Sequence, residues 1–246
     1  MLQTTINCIN WIKDYFKDNP DGKAIIGISG GKDSTIAAAL CVEALGADRV
    51  VGVMMPQGIQ TDIKDSYDVC RYLDLDPFEV NIGAAYQKLA EEVIGDTLLP
   101  ELPPIVTTNT PARLRMTVLY MVAGLFPNSR VVNTCNRSED YVGYSTKFGD
   151  AAGDFSPLGN LTVREVLEIG DDLGLPRHLV HKIPSDGMCG KSDEDNLGFT
   201  YEQLDDWILE GKCANEEIKE KILKLHKATR HKYMPIPTYT PPTMSF

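Results

Sequence analysis

The segment GISGGKDST, Gly27 to Thr35, places a glycine pair, hydroxyl side chains and one carboxylate directly after an apolar run. Glycines let a backbone approach an anion closely, and a helix that follows directs free N–H groups and the positive end of its dipole toward that anion. A carboxylate at the same place repels phosphate. Asp33 is therefore either the N-terminal cap of that helix or the ligand of a cation that lies between the protein and a phosphate group.

The spacing of this loop differs from that of the two common phosphate-binding loops. A Walker A loop needs four residues between its first glycine and G-K-[ST], and dinucleotide-binding folds use G-x-G-x-x-G. The chain instead has S-G-G-x-D-S, Ser29 to Ser34. The loop therefore predicts an anion site of another kind, built from hydroxyl and backbone donors with one carboxylate among them.

Such a loop needs a strand before it and a helix after it, and the chain repeats this alternation. Apolar runs bounded by turn residues alternate with segments of helical period, which predicts an α/β fold with a single doubly wound parallel sheet flanked by helices. The predicted strands are Ala24–Ile28, Arg49–Met54, Phe78–Val80 and Arg130–Val132. The helix after the loop is predicted to end at Gly46, and two more are predicted over Thr61–Leu73 and Gly83–Ile94.

Three further segments carry expectations of their own. The helical segment Arg113–Phe126 is apolar on nearly every side, so it is expected to be buried, either in the core or against a second subunit. The stretch Gly95–Pro111, rich in proline and threonine, is expected to be irregular. Pro184–Gly198 is glycine-rich, acidic and longer than a simple connection, which favours a lid that becomes ordered over a ligand.

Composition limits the classes of function. The chain has 246 residues, of which 43% are apolar, and this is enough for one α/β domain over residues 1–246. The net charge of -11, without a basic stretch, argues against nonspecific nucleic-acid binding. The sequence has no signal-peptide pattern or run of transmembrane length, and its six cysteines form no C-x-x-C pair. A cytoplasmic protein without membrane partners is the expectation.

Two sets of motifs resemble a known family. S-G-G-x-D-S after a strand resembles the pyrophosphate loop of the ATP pyrophosphatases, which cleave ATP to AMP and pyrophosphate. The segment NTCNRSEDYVGYSTKFGDAAGDFSPLGNLTV, residues 133–163, is similar to the NAD synthetase pattern of T-x-x-x-x-E followed by T-K-[FY]-G-D-x-x-x-D and a P-L turn. MPQGIQTD, ARLRM and RHKYMP match further elements in order, so the resemblance covers nearly the whole chain. It implies the adenine nucleotide alpha hydrolase-like fold, which is Rossmann-like.

The resemblance implies a set of site residues. The ATP-binding residues would be Gly27, Ile28, Ser29, Gly30, Gly31, Lys32, Asp33, Ser34, Thr134 and Ser185. The residues that bind deamido-NAD would be Arg113, Lys147, Asp154, His231 and Lys232. Asp33 and Glu139 would hold Mg²⁺, a hard cation that takes few ligands from protein beside those from phosphates. Asp33 and Asp150 would be catalytic, the latter by orienting or deprotonating ammonium.

The chain departs from the family pattern at Met54 and Val163, where the relatives known best carry basic residues. Arg164 or Lys191 could supply the missing positive charge.

The resemblance implies ammonia-dependent NAD synthesis, in which the carboxylate of deamido-NAD is adenylated by ATP and ammonia then displaces AMP. It also implies a homodimer. The chain has no room for an amidase domain, so ammonia would be free or supplied by a partner. Two alternatives stay open: another ATP pyrophosphatase, of a tRNA-modifying or GMP synthetase-like type, and a non-catalytic nucleotide-binding protein.

Overall fold

The computed structural model describes residues 1–95, 101–182, 192–213 and 215–240. Within these ranges four parallel strands form one sheet in the order β3-β2-β1-β4. The strands are β1 Ala24–Gly27, β2 Val50–Met54, β3 Phe78–Glu79 and β4 Arg130–Val131. Ala24 lies opposite both Val50 and Arg130, so the chain moves outward from β1 in one direction and returns to its other side with β4. This reversal creates a switch point between β1 and β4, where doubly wound sheets bind ligands.

The central strands β1 and β2 are buried on both faces because helices cover both sides of the sheet, whereas the edge strand β3 is exposed. Ala24 and Ile26 contribute to an apolar cluster on one face, together with residues of the helices that follow β1 and precede it. Ile25 points to the other face, where Met116 and Leu119 of a long helix cover it. The alternation along β1 is the period of two that a strand requires.

The helices account for most of the remaining described chain. Before β4 they are α1 Gln3–Tyr15, α2 Lys32–Leu45, α3 Ile63–Tyr72, α4 Gly83–Gly95 and α5 Pro104–Ala123. After β4 they are α6 Arg137–Val142, α7 Val163–Asp172, α8 Arg177–Val180, α9 Asp193–Leu197, α10 Tyr201–Glu210 and α11 Glu216–Thr229. A third apolar cluster, with Val142, Leu204 and Ile222 fully buried, joins α6 to α10 and α11.

The predicted α/β class, the parallel sheet and its four strands are confirmed, with boundaries that differ by one or two residues. The irregular structure expected for Gly95–Pro111 is wrong from Pro104 onward, where α5 begins. Proline fits the first turn of a helix because its missing N–H would have no partner there. Pro111 lies inside α5 and is buried, so packing holds a residue that propensity disfavours.

The segment Arg113–Phe126, predicted to be buried in the core or against a second subunit, is buried on one side within this chain. Leu119 and Val122 are buried against the sheet, whereas Met121 and Leu125 are 75% and 64% exposed. Of the loop predicted over Pro184–Gly198, the part Asp193–Leu197 is helix α9, which begins with a capping box formed by Ser192 and Asp195. Residues 184–191, which include Ser185 and the first part of the predicted lid Pro184–Gly198, lie outside the described residues.

Two other sequence expectations concern cysteines and membrane spans. The five cysteines that lie in the described ranges, Cys8, Cys41, Cys70, Cys135 and Cys213, are free thiols. Among the described helices there is none with the length and apolar character needed to cross a membrane.

Two glycines with the same backbone conformation give a test of this packing. Gly143 and Gly174 both have φ of +68°, but a Cβ on Gly143 would overlap the side chain of Thr229, whereas one on Gly174 would meet open space. Gly174→Ala should cost about 1–2 kcal/mol of unfolding free energy, from left-handed strain alone. Gly143→Ala should cost about 1–3 kcal/mol more, because α6 and α11 must separate. Urea denaturation measures both, and equal losses would contradict the packing of α6 on α11.

Candidate functional site

A cavity of about 840 Å³ lies at the carboxyl ends of the strands, at the switch point. The glycine loop Gly27–Ser34 forms one wall and the segment after β2 forms another. Thr134, Glu139 and Asp150, from the chain after β4, also line it. The structure thus brings the glycine loop and these three predicted residues into one site.

The glycine loop is shaped by its own hydroxyl groups and by close packing. Gly30 has φ of +75°, and a Cβ there would lie 2.9 Å from the Cβ of Asp65 on α3, so only glycine fits. The Ser29 hydroxyl accepts from Gly31 N–H at 3.2 Å, and Thr35 Oγ1 donates to Gly31 O at 2.7 Å. The loop therefore enters α2 with the first-turn N–H groups directed toward the cavity.

The structure tests one of the two interpretations of Asp33, that of the helix cap. The N-cap of α2 is Gly31, without a side-chain cap, and Asp33 lies inside the first turn. Its two oxygens accept from different partners, Oδ2 from Lys32 Nζ at 2.7 Å and Oδ1 from Asn136 Nδ2 at 3.0 Å. Asp33 is therefore not the cap of this helix, and its carboxylate borders the cavity.

Asn136 connects the two predicted carboxylates. It is fully buried and caps α6, where its Oδ1 accepts from the N–H groups of Ser138 and Glu139, both at 3.0 Å. Glu139 Oε2 in turn accepts from the Asn136 N–H at 3.2 Å, which completes a capping box. The remaining Nδ2 donor goes to Asp33, so one amide fixes the position of both acids.

The electrostatics of this pair are unfavourable in the protein alone. Burial raises the pKa of Glu139 well above its ordinary value, the charge of Asp33 raises it further, and Lys32 opposes both. Burial lowers the pKa of Lys32, but the charges of Asp33 and Glu139 outweigh burial and raise it overall. Lys32 is 6% exposed, and its ammonium also lies over the Tyr201 ring, 5.5 Å from the centroid.

Asp150 lies on the β4 side of the cavity. Its Oδ1 accepts from Thr146 N–H at 2.9 Å. Burial raises its pKa, while the hydrogen bonds of the Thr146 turn and the charge of Lys232 lower it. Asp150 is therefore a carboxyl whose protonation lies nearer to neutral pH than that of an exposed aspartate, beside the cavity.

The other predicted substrate residues lie outside the cavity. Arg113 Nε donates to Lys147 O at 3.2 Å, and Lys147 Nζ donates to His231 O at 2.7 Å, so these three form one exposed basic patch. Lys232 donates to two backbone carbonyls, both at 2.7 Å, and its charge acts on Asp150. Asp154 accepts from Val131 N–H at 2.7 Å and from the Tyr120 hydroxyl at 3.2 Å, at the end of β4.

Sequence reasoning missed three polar residues of the site. Asn136 carried a signal, since N-x-x-E is a capping-box pattern. Arg115 lines the cavity and donates to Met55 O at 3.0 Å, and burial lowers its pKa. Lys182 also lines the cavity.

Of the two residues that the sequence suggested as replacements for the missing basic residues, Arg164 does not reach the cavity and Lys191 is untested. Met54 and Val163 are buried, and Arg164 pairs with Asp206 at 2.6 Å without lining the cavity. Lys191, like Ser185, falls outside the described residues. Within the described ranges, Lys32, Arg115 and Lys182 bring positive charge to the cavity.

Comparison with known proteins agrees with this architecture. The NH(3)-dependent NAD(+) synthetase of Carboxydothermus hydrogenoformans is 34% identical over 233 residues, which cover 94% of this chain and 94% of that protein. The structure resembles that of the NMN synthetase from Francisella tularensis, with a TM-score of 0.87, 32% identity and coverage of 96% of this chain and 97% of that one. It also resembles the NAD+ synthetase from Burkholderia pseudomallei, with a TM-score of 0.75, 31% identity and coverage of 93% and 88%.

The profile of the NAD synthase family matches residues 5–236, which include all four strands and the whole described cavity. With its pyrophosphate-type loop, its paired carboxylates and this match, the chain belongs to the NAD synthase family.

Proposed function

We propose that the chain is an ammonia-using ligase that converts deamido-NAD and ATP to NAD, AMP and pyrophosphate. One observation carries the proposal: Asn136 holds Asp33 and Glu139 together beside a glycine loop at the start of a helix. Carboxylates fixed next to an anion site are expected where a cation bridges protein and phosphate. The names of the relatives support the identity of the substrate.

The proposed reaction has two steps. An oxygen of the nicotinate carboxylate attacks the α-phosphorus of ATP, and the bond to pyrophosphate breaks. Ammonia then attacks the carbonyl carbon of the adenylate, the bond to AMP breaks, and one proton leaves the nitrogen. We assign to the first-turn N–H groups of α2 and to Ser34, which lines the cavity, the stabilisation of the negative charge on the departing pyrophosphate.

The carboxylates of Asp33 and Glu139 fit Mg²⁺. A hard dication prefers oxygen ligands and commonly takes one or two carboxylates from protein together with substrate phosphates. The raised pKa of Glu139 shows that burial and the neighbouring acid disfavour its ionised form, and a bound dication would favour that form again. When bound, Mg²⁺ would neutralise charge on the phosphates.

Asp150 is the proposed site for ammonium. Its carboxyl lines the cavity on the side of the basic patch, and its raised pKa suits a group that takes up one proton as the amide forms. Thr134 is proposed to contact ATP from the end of β4.

The basic patch formed by Arg113, Lys147 and His231, with Lys232 beside it, is proposed to bind deamido-NAD. Arginine and lysine supply the charge-assisted hydrogen bonds that an anionic dinucleotide needs in so acidic a chain. For Asp154, the bonds to Val131 and Tyr120 favour a role in orienting the end of β4 beside this patch.

A homodimer is proposed from the outer face of α5. Tyr120 and Met121 of α5, with Leu125 just after its end, expose apolar surface there, away from the residues of α5 that pack on the sheet. Apolar residues that repeat along one exposed helix face are typical of a surface that another subunit covers.

A second candidate substrate is nicotinate mononucleotide, which carries the same reacting carboxylate but lacks the adenylate half. The observation that favours it is the structural similarity, since the TM-score is 0.87 to an NMN synthetase and 0.75 to an NAD+ synthetase.

The products test the reaction class. The reaction of deamido-NAD with ATP and ammonium in the presence of Mg²⁺ should give NAD, AMP and pyrophosphate in equal amounts. Asp33→Asn should lower turnover by about 10²-fold or more, because it removes one of the two carboxylates that would hold the cation needed to neutralise charge on the leaving group. The thermal midpoint of Asp33→Asn should stay nearly unchanged, since Gly31 is the cap of α2. Formation of ADP and orthophosphate would contradict the proposal, and ATP binding without turnover would favour a non-catalytic role.

Glu139→Gln should make the metal-free protein more stable and less active. A carboxyl whose folded-state pKa is raised costs stability above its unfolded value near 4.3, and the cost vanishes as pH falls below that value. With a chelator present, the variant should therefore unfold at higher temperature than the unmodified protein at pH 8, and the gap should close near pH 4. Glu165→Gln, in the capping box of α7, is the matched control and should show no such gain. A gap that does not change with pH would contradict the burial argument.

The two substrates can be compared directly in one tube. With deamido-NAD and nicotinate mononucleotide at equal concentration, the ratio of initial rates equals the ratio of their kcat/KM values. We expect deamido-NAD to be amidated at least about 10-fold faster, and Lys147→Met to reduce this preference because it removes a charge-assisted hydrogen bond. Faster conversion of the mononucleotide would establish the second candidate instead.

A further inference from the structure

Lys182, which follows α8, carries a positive charge to the wall of the cavity. Its Nζ lies 2.6 Å from Asp65 Oδ2 and 3.3 Å from Asp62 Oδ2, and its side chain is 26% exposed. Both acids stand at the start of α3, on the segment that follows β2. An ammonium has three N–H donors, so these two bonds fix its position and leave one donor for another acceptor.

This ion-pair cluster stands directly against the glycine loop. The position of a Cβ on Gly30 would be 2.9 Å from both the Asp65 Cβ and the Ser66 N atom, which means that the start of α3 packs on the loop without space between them. Lys182 is thus tied, through Asp65, to the wall that carries the proposed anion site. Lys182, Asp62 and Ser66 line the cavity together with Ser29 and Gly31.

The negative charge of the cavity makes its few cations, including Lys182, important for binding an anion. Its described lining contains more acids than bases, namely Asp33, Asp62, Glu139, Asp150 and Asp193 against Lys32, Arg115 and Lys182. Lys32 is engaged by Asp33 at 2.7 Å and is almost fully buried, while Arg115 donates to the backbone of Met55. Lys182 is more exposed than Lys32, with 26% of its side chain exposed against 6%.

We propose that Lys182 binds the β- and γ-phosphates of ATP, and hence the departing pyrophosphate, with Asp62 and Asp65 as positioning residues that hold its ammonium beside the glycine loop. This inference rests on the proposed function, in which ATP enters the cavity. The two acids hold the long side chain of Lys182 in one position before ATP binds, which lowers the entropy lost when the phosphate binds. The third donor of the ammonium then meets the phosphate.

A purely structural ion pair is the competing interpretation, since the same bonds tie the end of α8 to α3. The two roles differ in what they affect. A structural pair affects the thermal midpoint and all ligands alike, whereas a phosphate contact affects only ligands that carry the β- and γ-phosphates. Partly exposed ion pairs also contribute little to stability, so replacing Lys182 should leave the fold intact.

Equilibrium binding of ATP, pyrophosphate and AMP to the full chain, with Mg²⁺ present, tests the proposal. Lys182→Met should weaken ATP and pyrophosphate about 10- to 100-fold, as expected for the loss of a charge-assisted hydrogen bond, and should leave AMP within about 3-fold. Lys182→Arg should retain part of the affinity. Lys219→Met is the matched control, because Lys219 is similarly exposed at 31% and pairs with Glu216 on α11, away from the cavity.

The positioning role has its own readout. Asp65→Asn should weaken ATP less than Lys182→Met does, and should add nothing in a protein that already carries Lys182→Met, because the acid acts through the lysine. Unchanged ATP affinity of Lys182→Met, in a protein that forms AMP and pyrophosphate, would overturn the role of Lys182 alone. Equal weakening of ATP and AMP with a lowered thermal midpoint would assign the pair to structure. An unmodified protein that binds neither ATP nor pyrophosphate would overturn the proposed function as well.

Discussion

The arrangement of the site depends on keeping two carboxylates together in a place made for anions. Asp33 lies in the first turn of α2, and Glu139 lies partly buried in the first turn of α6, where its pKa is raised by desolvation and by Asp33. The N-terminal ends of helices favour negative charge, which accounts for part of the stability of this pair of neighbouring carboxylates. The remainder comes from Asn136, which donates to Asp33 and caps α6, and from Lys32, which pairs with Asp33.

The order of the strands makes this pairing possible. β1 and β4 are neighbours in the sheet although they are far apart along the chain, and the helices that follow them begin at the same edge. Asn136 and Asp33 are separated by 103 residues and yet are hydrogen-bonded, because each follows one of these two strands. The apolar cover of the sheet, with Ile25 on one face and Ile26 on the other, fixes the strands that hold these helix starts in register.

Local patterns in the sequence predicted the parts of the fold that depend on local physics. The strand, loop and helix around Gly27–Ser34 follow from an apolar run, a glycine pair and a helical period, and the structure has all of them. The start of α5 was missed because proline-rich sequence lowers helix propensity, while packing of Met116 and Leu119 on the sheet overrides it.

The site was predictable only in part, for geometric reasons. Arg113 and Arg115 are two residues apart, and on a helix this separates their directions by roughly 200°, so sequence alone does not tell which one faces the cavity. The structure places Arg115 in the wall and Arg113 on the outer patch. Lys182 gave no local signal at all, because its partners on α3 are more than a hundred positions away.

The separation of cavity and patch bears on how one architecture accommodates more than one nicotinate nucleotide. The groups proposed to act on ATP and on the reacting carboxylate line the cavity, and they need only the part that deamido-NAD and the mononucleotide share. The groups proposed to recognise the rest of the substrate lie outside it, where Arg113 and Lys147 are held by backbone carbonyls rather than by acids. A carbonyl orients a cation without neutralising it, so the patch keeps its charge for an anionic ligand. Changes on this patch can therefore alter the substrate while the carboxylate pair and the glycine loop stay the same.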